Sequence, residues 1–400
     1  MAGEKPETSG TLSELLDRRM KIYYLYMSLL LLCLVTAFIV TSKLKISYFQ
    51  TNPSEKQPEI SRSCQPMTHI MFLKTHKTGS TTVQNILLRY ADRNNLSVAL
   101  SNYGPIHLGY PKLFSAKFVK RSATGQKFDI MAHHLRFNLP EVSKVLHSDT
   151  FYFSIIRHPV SVMESAFMYC NKESEIFRKV KDLNEFMKAP WTYYKPNWKN
   201  SFFAKNLLWY DFGFDHNHND DNEYFESVVT QIESNFQLIL INEYFDESMI
   251  LLKETLCWSM SDVVYFILNS RGKSSIQNLT TQTVNMMTMW NSLDWKLYLH
   301  FNRTFWRRIS ETIGIEKLKK EVQLLRLMQK ELLNTCIKNG IAVEPSKVEN
   351  ISFLPFQPNK LQIFGYNLKT DLNISTRIQC QRMVLSEKVF TQQLYARQNT

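Results

Sequence analysis

The densest run of chemistry-bearing residues is Lys74-Thr-His-Lys77-Thr-Gly79-Ser-Thr-Thr82, which follows a short apolar stretch, HIMFLK from His69 to Lys74, and opens a helical pattern from about Ser80 to Asn94. A strand, a turn rich in Gly, Ser and Thr, and then a helix start present backbone N–H groups and the positive end of a dipole to an anion such as a phosphate. Lys74 and Lys77 add charge, and Thr75, Thr78, Ser80, Thr81 and Thr82 add hydroxyls around Gly79. This is not a Walker A loop. That motif, G-x-x-x-x-G-K-[ST], puts its Lys after the second Gly, whereas Lys77 precedes the one Gly of this loop, so ATP hydrolysis loses most of its support. The bland alternative is an ordinary Ser/Thr cap at a helix start. A second signal is FYFSIIRHP, Phe151 to Pro159: Arg157 closes an apolar strand, Pro159 marks the turn, and Ser165 falls about two helical turns into the next element. An Arg at the C-terminal end of a parallel strand, with a hydroxyl nearby, suits a phosphate monoester. Alone it would read as an Arg paired with a surface carboxylate.

The elements that must hold these residues alternate. Strand candidates at Phe128 to Ala132, Thr150 to Ile156 and Phe236 to Asn242 are separated by helical stretches, which predicts an α/β fold with a parallel sheet and crossover helices. Ile315 to Asn334 carries apolar residues at helical spacing among Lys and Glu and reads as a surface helix. With 400 residues, 44% hydrophobic and 21% charged, the chain is too apolar for a disordered tail. Eleven Gly and 13 Pro exclude collagen-like and low-complexity architectures, and six Cys are too few for a disulfide scaffold. The net charge of +12 attracts anions, but the basic residues are scattered rather than clustered, which argues for a small anionic ligand and against a nucleic-acid surface.

Ile22 to Ser42 holds no charged residue over 21 positions, long enough to span a bilayer. Arg18, Arg19 and Lys21 flank it on one side, Lys43 and Lys45 on the other, and Tyr23, Tyr24 and Tyr26 suit an interfacial belt. A cleaved signal peptide would want a shorter apolar core and a small-residue cleavage site. The expected layout is therefore a cytosolic tail at 1–21, an uncleaved signal anchor at 22–42, a polar, Pro-containing luminal stem at 43–66 and a luminal domain at 67–400. Sequons at Asn95, Asn278, Asn302, Asn350 and Asn373 fit luminal exposure. Cys33 falls in the span. The five remaining cysteines, Cys64, Cys170, Cys257, Cys336 and Cys380, allow at most two intramolecular bridges, leaving one thiol free, buried or paired between chains. His216, His218, Asp220 and Asp221 lack an ordered ligand spacing and read as a polar loop, so no metal site is expected there.

Taken together, the two anion-binding segments resemble the sulfotransferases that use 3′-phosphoadenosine 5′-phosphosulfate (PAPS). The match is closer still to the membrane-anchored galactose 3-O-sulfotransferases, which include galactosylceramide sulfotransferase. It rests on FLKTHKTGSTTVQNIL (72–87), HLRFNLPEV (134–142), FYFSIIRHPV (151–160), NEYFDESMILLKETLCW (242–258), HFNRTFW (300–306) and GYNLK (365–369). The first and third are shared across sulfotransferases; the others are specific to the subfamily. Gly79 stands where several members carry Ala, an exchange expected to be harmless in a turn.

The resemblance implies a P-loop-like sulfotransferase fold, with a central parallel sheet flanked by helices and preceded by one transmembrane helix. It also implies PAPS as co-substrate, with no metal. Lys74, Thr75, Lys77, Thr78, Gly79, Ser80, Thr81 and Thr82 would hold the 5′-phosphosulfate, Arg157 and Ser165 the 3′-phosphate, and Lys77 would stabilise the leaving oxygen. A sugar hydroxyl needs a general base, for which His is suited. Among His76, His133 and His134 the resemblance favours His134, with His76 next. Arg136, Asn138, Lys205 and Asn206 are acceptor candidates, and Asn269-Ser-Arg271-Gly272-Lys273 would either close over the 3′-phosphate or form an exposed turn. The implied enzyme is a single-pass type II Golgi membrane protein that sulfates O3 of a terminal β-galactose on a glycolipid or glycoprotein glycan, with a homodimer left open. The alternatives are a sulfotransferase for another sugar position and a catalytically silent glycan-binding glycoprotein.

Overall fold

The computed structural model describes residue 36 and residues 64–122, 125–218, 221–272, 275–358 and 361–398. The expected tail, the anchor apart from Thr36, and the stem up to residue 63 fall outside the described residues, as do Asp220 and Lys273. Among the described residues no helix is long and apolar enough to cross a membrane. Residues 65–400 form one compact unit.

Its centre is a four-stranded parallel sheet of β1 (Ile70–Leu73), β2 (Ile130–Met131), β3 (Phe151–Ile156) and β4 (Leu238–Ile241), in the order β2-β1-β3-β4. Ile70 lies opposite both Ile130 and Phe151, and Phe153 opposite Leu238. Every strand residue is buried. The strands read as continuous apolar runs because helices cover both faces, which leaves no solvent side to impose alternation. The expected strand over 128–132 is shorter than its apolar run: Phe128 leaves the ladder to bridge Leu146, and only Ile130 and Met131 pair with β1.

Helix α1 (Ser80–Arg93) follows β1 and buries Val83, Ile86, Leu87, Tyr90 and Ala91. Helix α2 (Pro159–Cys170) follows β3, with Pro159 at the first helical position, where its missing N–H is not needed. The 315–334 pattern forms α8 (Ile315–Cys336), whose buried stripe is Leu318, Val322 and Leu325. Between them in chain order run α3 (Leu207–Asp211), α4 (Asn222–Asn235), α5 (Phe245–Leu256), α6 (Thr281–Trp290) and α7 (Ser292–Thr312), and after them α9 (Ile374–Val384) and α10 (Glu387–Arg397).

The last two helices return to α1. Asn85 donates to the Arg382 carbonyl, Arg397 donates to Asp92 and to the Leu96 carbonyl, and the Gln398 amide bonds both backbone groups of Val98. A Cys336–Cys380 disulfide ties α8 to α9 and Cys170 is free and buried, in keeping with the odd cysteine count.

Because the strands are parallel, the loops after Leu73, Met131, Ile156 and Ile241 gather at one edge of the sheet. That edge is where open α/β sheets bind ligands.

Candidate active site

The 74–79 loop is built largely by its own hydroxyls. Thr75 Oγ1 donates to the Ile155 carbonyl of β3 and sits 2.9 Å from Thr78 Oγ1, while Ser80 Oγ donates to the Thr75 carbonyl at 2.6 Å. Thr82 Oγ1 accepts from the Leu268 N–H and Thr81 Oγ1 from the Asn269 side chain, so the 269–272 segment packs on the first turn of α1. The hydroxyls expected to meet a ligand therefore shape the loop. Gly79 at the tip of the loop is exposed and leads into the start of α1, where the first N–H groups lack the i−4 carbonyl partners of the helix interior.

Lys77 and Gly79 both take left-handed backbone conformations, at φ +63° and +74°. A Cβ on Gly79 would stand 2.5 Å from Asn242 Nδ2, which donates to the Thr78 carbonyl at 2.9 Å. Ala at 79 is therefore strained here, which corrects the expectation of a harmless exchange.

Several cations converge on this loop. Arg157 donates from its NH1 to the Lys77 carbonyl at 3.1 Å, and its Nε lies 4.0 Å from Glu243. Lys77 Nζ sits 3.4 Å over the Tyr169 ring. Arg271 reaches α2 by pairing with Glu164, the residue before the buried Ser165. Burial pulls Lys77 down to about 8, and Arg271, Arg157 and Lys74 push the same way against the Cys170 thiol. Among the described residues Arg157, Arg271 and Lys74 each have a carboxylate partner and Lys77 has none.

Lys74 is placed differently from the expectation that it meets the ligand. Its side chain is fully buried, with Nζ 2.6 Å from Glu387 Oε2 at the start of α10, in poor alignment for a hydrogen bond. Burial lowers the Lys74 pKa. Burial would raise Glu387, but Lys74 and His133 hold it below the usual carboxylate range.

The histidines form a layer beside the loop. Asp211, wholly buried at the end of α3, accepts from the His76 N–H at 2.7 Å and the Tyr110 hydroxyl at 2.8 Å, and its Oδ1 lies 3.0 Å from His76 Nδ1. With Nδ1–H assigned to Asp211 by that bonding, the Nε2 lone pair of His76 is the free one. His134 stacks on His76 with centroids 4.1 Å apart, and its Nδ1 is 2.8 Å from the Lys74 carbonyl. Burial, then His76, Lys74 and His107, push the pKa of His134 well below its ordinary value. His133 is buried against Thr391 Oγ1, and burial takes it to about 4.

Of the acceptor candidates, Arg136 donates to the carbonyls of Tyr210, Gly213 and Phe214, Asn138 to that of Phe114, and buried Asn206 to that of His216. These three brace loops. Lys205 Nζ lies 5.0 Å from the Trp290 ring centroid, and burial lowers its pKa. His216, from the expected polar loop, faces the Tyr194 hydroxyl.

Asp211, Tyr110, Glu387 and Glu164 escaped the sequence reading. Each acts across 100 or more residues, and no local spacing marks it.

A family model described as galactose-3-O-sulfotransferase matches residues 11–398. Galactose-3-O-sulfotransferase 2 of Sus scrofa is 44% identical over 337 residues, covering 83% of this chain and 85% of the relative. Its Homo sapiens counterpart is 44% identical over 335 residues, covering 83% and 84%. Galactosylceramide sulfotransferase of Homo sapiens is 36% identical over 328 residues, covering 81% and 77%. With a cation-rich loop at the ligand-binding edge of a parallel sheet and this similarity along nearly its whole length, the chain is a sulfotransferase and belongs to the galactose-3-O-sulfotransferase family.

Proposed function

We propose that the protein transfers a sulfuryl group from PAPS to the 3-hydroxyl of a terminal β-galactose on a glycolipid or glycoprotein glycan, within a P-loop-like sulfotransferase fold. The observation that carries this reading is the pairing, around one loop, of Lys77, Arg157 and Arg271 with the His76–Asp211–Tyr110 array. A donor with a sulfate and two phosphate groups fits a loop whose Lys77 has no carboxylate partner among the described residues and which ends in a helix start.

In this reading the helix start and Lys77 hold the 5′-phosphosulfate, and Arg157 with Ser165 holds the 3′-phosphate beside Arg271. The O3–S bond forms as the S–O bond to the 5′-phosphate breaks, and the negative charge left on that phosphate oxygen falls to Lys77. The proton of the galactose hydroxyl passes to His76 Nε2, and buried Asp211 stabilises the resulting imidazolium, as carboxylates behind catalytic histidines do. His134, whose pKa burial depresses, serves as the neutral ring against which His76 stacks. We place the protein in the Golgi membrane as a type II protein, on the strength of the 22–42 run and of a disulfide suited to an oxidising lumen.

The test is sulfate transfer from labelled PAPS by the full chain to galactosylceramide, a lactosamine and a core 1 disaccharide, with product linkage determined. Transfer to O3 of one of them, lost in Lys77→Ala, is expected. Donor binding with no transfer to any galactoside would overturn it.

A further inference from the structure

The opposite edge of the sheet, where the strands begin, carries a cluster unrelated to sulfuryl transfer. His69 precedes β1, Asp129 precedes β2, and His147 and Asp149 lie just ahead of β3. His69 Nε2 and His147 Nε2 each lie 3.5 Å from Asp129 Oδ1, and one ligand atom from each of the three residues falls within 4.8 Å of the others. A separation of 3.5 Å is long for an N–H···O bond. It is close to the roughly 3.3 Å between two donors that each stand about 2.0–2.1 Å from a tetrahedral ion.

The remaining polar atoms of two of these side chains are already engaged. Asp129 Oδ2 accepts from the Ser97 N–H at 2.7 Å and its hydroxyl at 2.8 Å, which turns Oδ1 toward the two rings. His69 Nδ1 is 2.8 Å from Asp149 Oδ1. A carboxylate behind the far ring nitrogen is the arrangement that orients metal-bound histidines and leaves the Nε2 lone pair for the ion.

We propose that His69, Asp129 and His147 bind a divalent ion of the zinc class, with water completing the shell, and that the ion clasps the starts of β1 and β2 to the segment leading into β3. Two imidazoles and one carboxylate favour such an ion over magnesium or calcium, which take oxygen ligands. The two rings stack 4.0 Å apart and 12° from parallel, so their lone pairs do not yet converge. Loading requires the His147 ring, a third exposed, to turn about its χ2 while Asp149 holds His69. The clasp lies a strand length, about 13 Å for β1, from the transfer site and takes no part in the reaction.

The probe is zinc chloride added to the full chain after dialysis against a chelator, read by thermal unfolding and by bound zinc per protein. Zinc is expected to raise Tm by about 5 °C at near-saturation with one ion bound, and magnesium to leave it unchanged. Asp129→Asn, which keeps an acceptor for Ser97, and His147→Ala should each lose the zinc response while keeping the metal-free Tm and the transferase activity. An unchanged native Tm throughout the micromolar zinc range, or a full response in either variant, overturns the proposal.

Discussion

At the residue scale, the proposed mechanism divides the site into groups that would touch the reaction and groups that hold them. Lys77→Ala is expected to cut kcat by about 10²–10³-fold, the usual cost of losing one donor to a developing oxyanion. His76→Ala should cost about 10²–10⁴-fold in kcat and His134→Ala much less. Equal losses, or the reverse order, would return the base to His134. The Lys77 pKa of about 8 also sets a direction for pH. Lys77 is cationic below that value and neutral above it, so donor affinity measured by calorimetry should be flat from pH 6 to 7 and fall as pH rises through about 8. Lys77→Arg should move that fall to higher pH. The positions of Lys77 and Arg157 beside one loop were legible in the sequence because strand ends and turns announce themselves locally. The role of Lys74 was not, because its partner Glu387 lies more than 300 residues away.

At the element scale, α3 matters most, since it delivers Asp211 to His76. The start of α3 is held by Asp294 of α7, which accepts from the Leu208 and Trp209 N–H groups at 3.0 and 2.8 Å. Burial raises Asp294 to about 7. A folded pKa above the unfolded one means that this carboxyl contributes most stability when protonated and loses it as pH rises through about 7. Tm followed from pH 5 to pH 8 should therefore decline more in the native protein than in Asp294→Asn; parallel profiles would remove Asp294 as the cause. The parallel sheet could be read from its apolar runs, but the edge strand β2 could not be bounded. Strand length there depends on what β1 offers to pair with, and Phe128 is as apolar as Ile130.

At the scale of the whole molecule, the sequons do not stand alike. Asn95, Asn278, Asn350 and Asn373 are exposed, whereas Asn302 is half-buried within α7 with its Oδ1 enclosed. Asn302→Gln should leave the glycosidase-sensitive mobility of the secreted or membrane-bound protein unchanged, while Asn373→Gln should shift it by one glycan. A shift with Asn302→Gln would mean that α7 forms after glycans are attached.

The Cys336–Cys380 bridge and the return of α9 and α10 onto α1 have a further consequence, through Glu387. The loop receives the partner of its buried lysine from a helix made more than 300 residues later. A nascent chain arrested before α10 would carry every motif of the loop and still hold an unneutralised ammonium against the sheet. The loop is therefore expected to set only once residue 387 has left the ribosome, not when the motif has, and a ribosome-tethered series with residue 387 inside and outside the exit tunnel would locate that step.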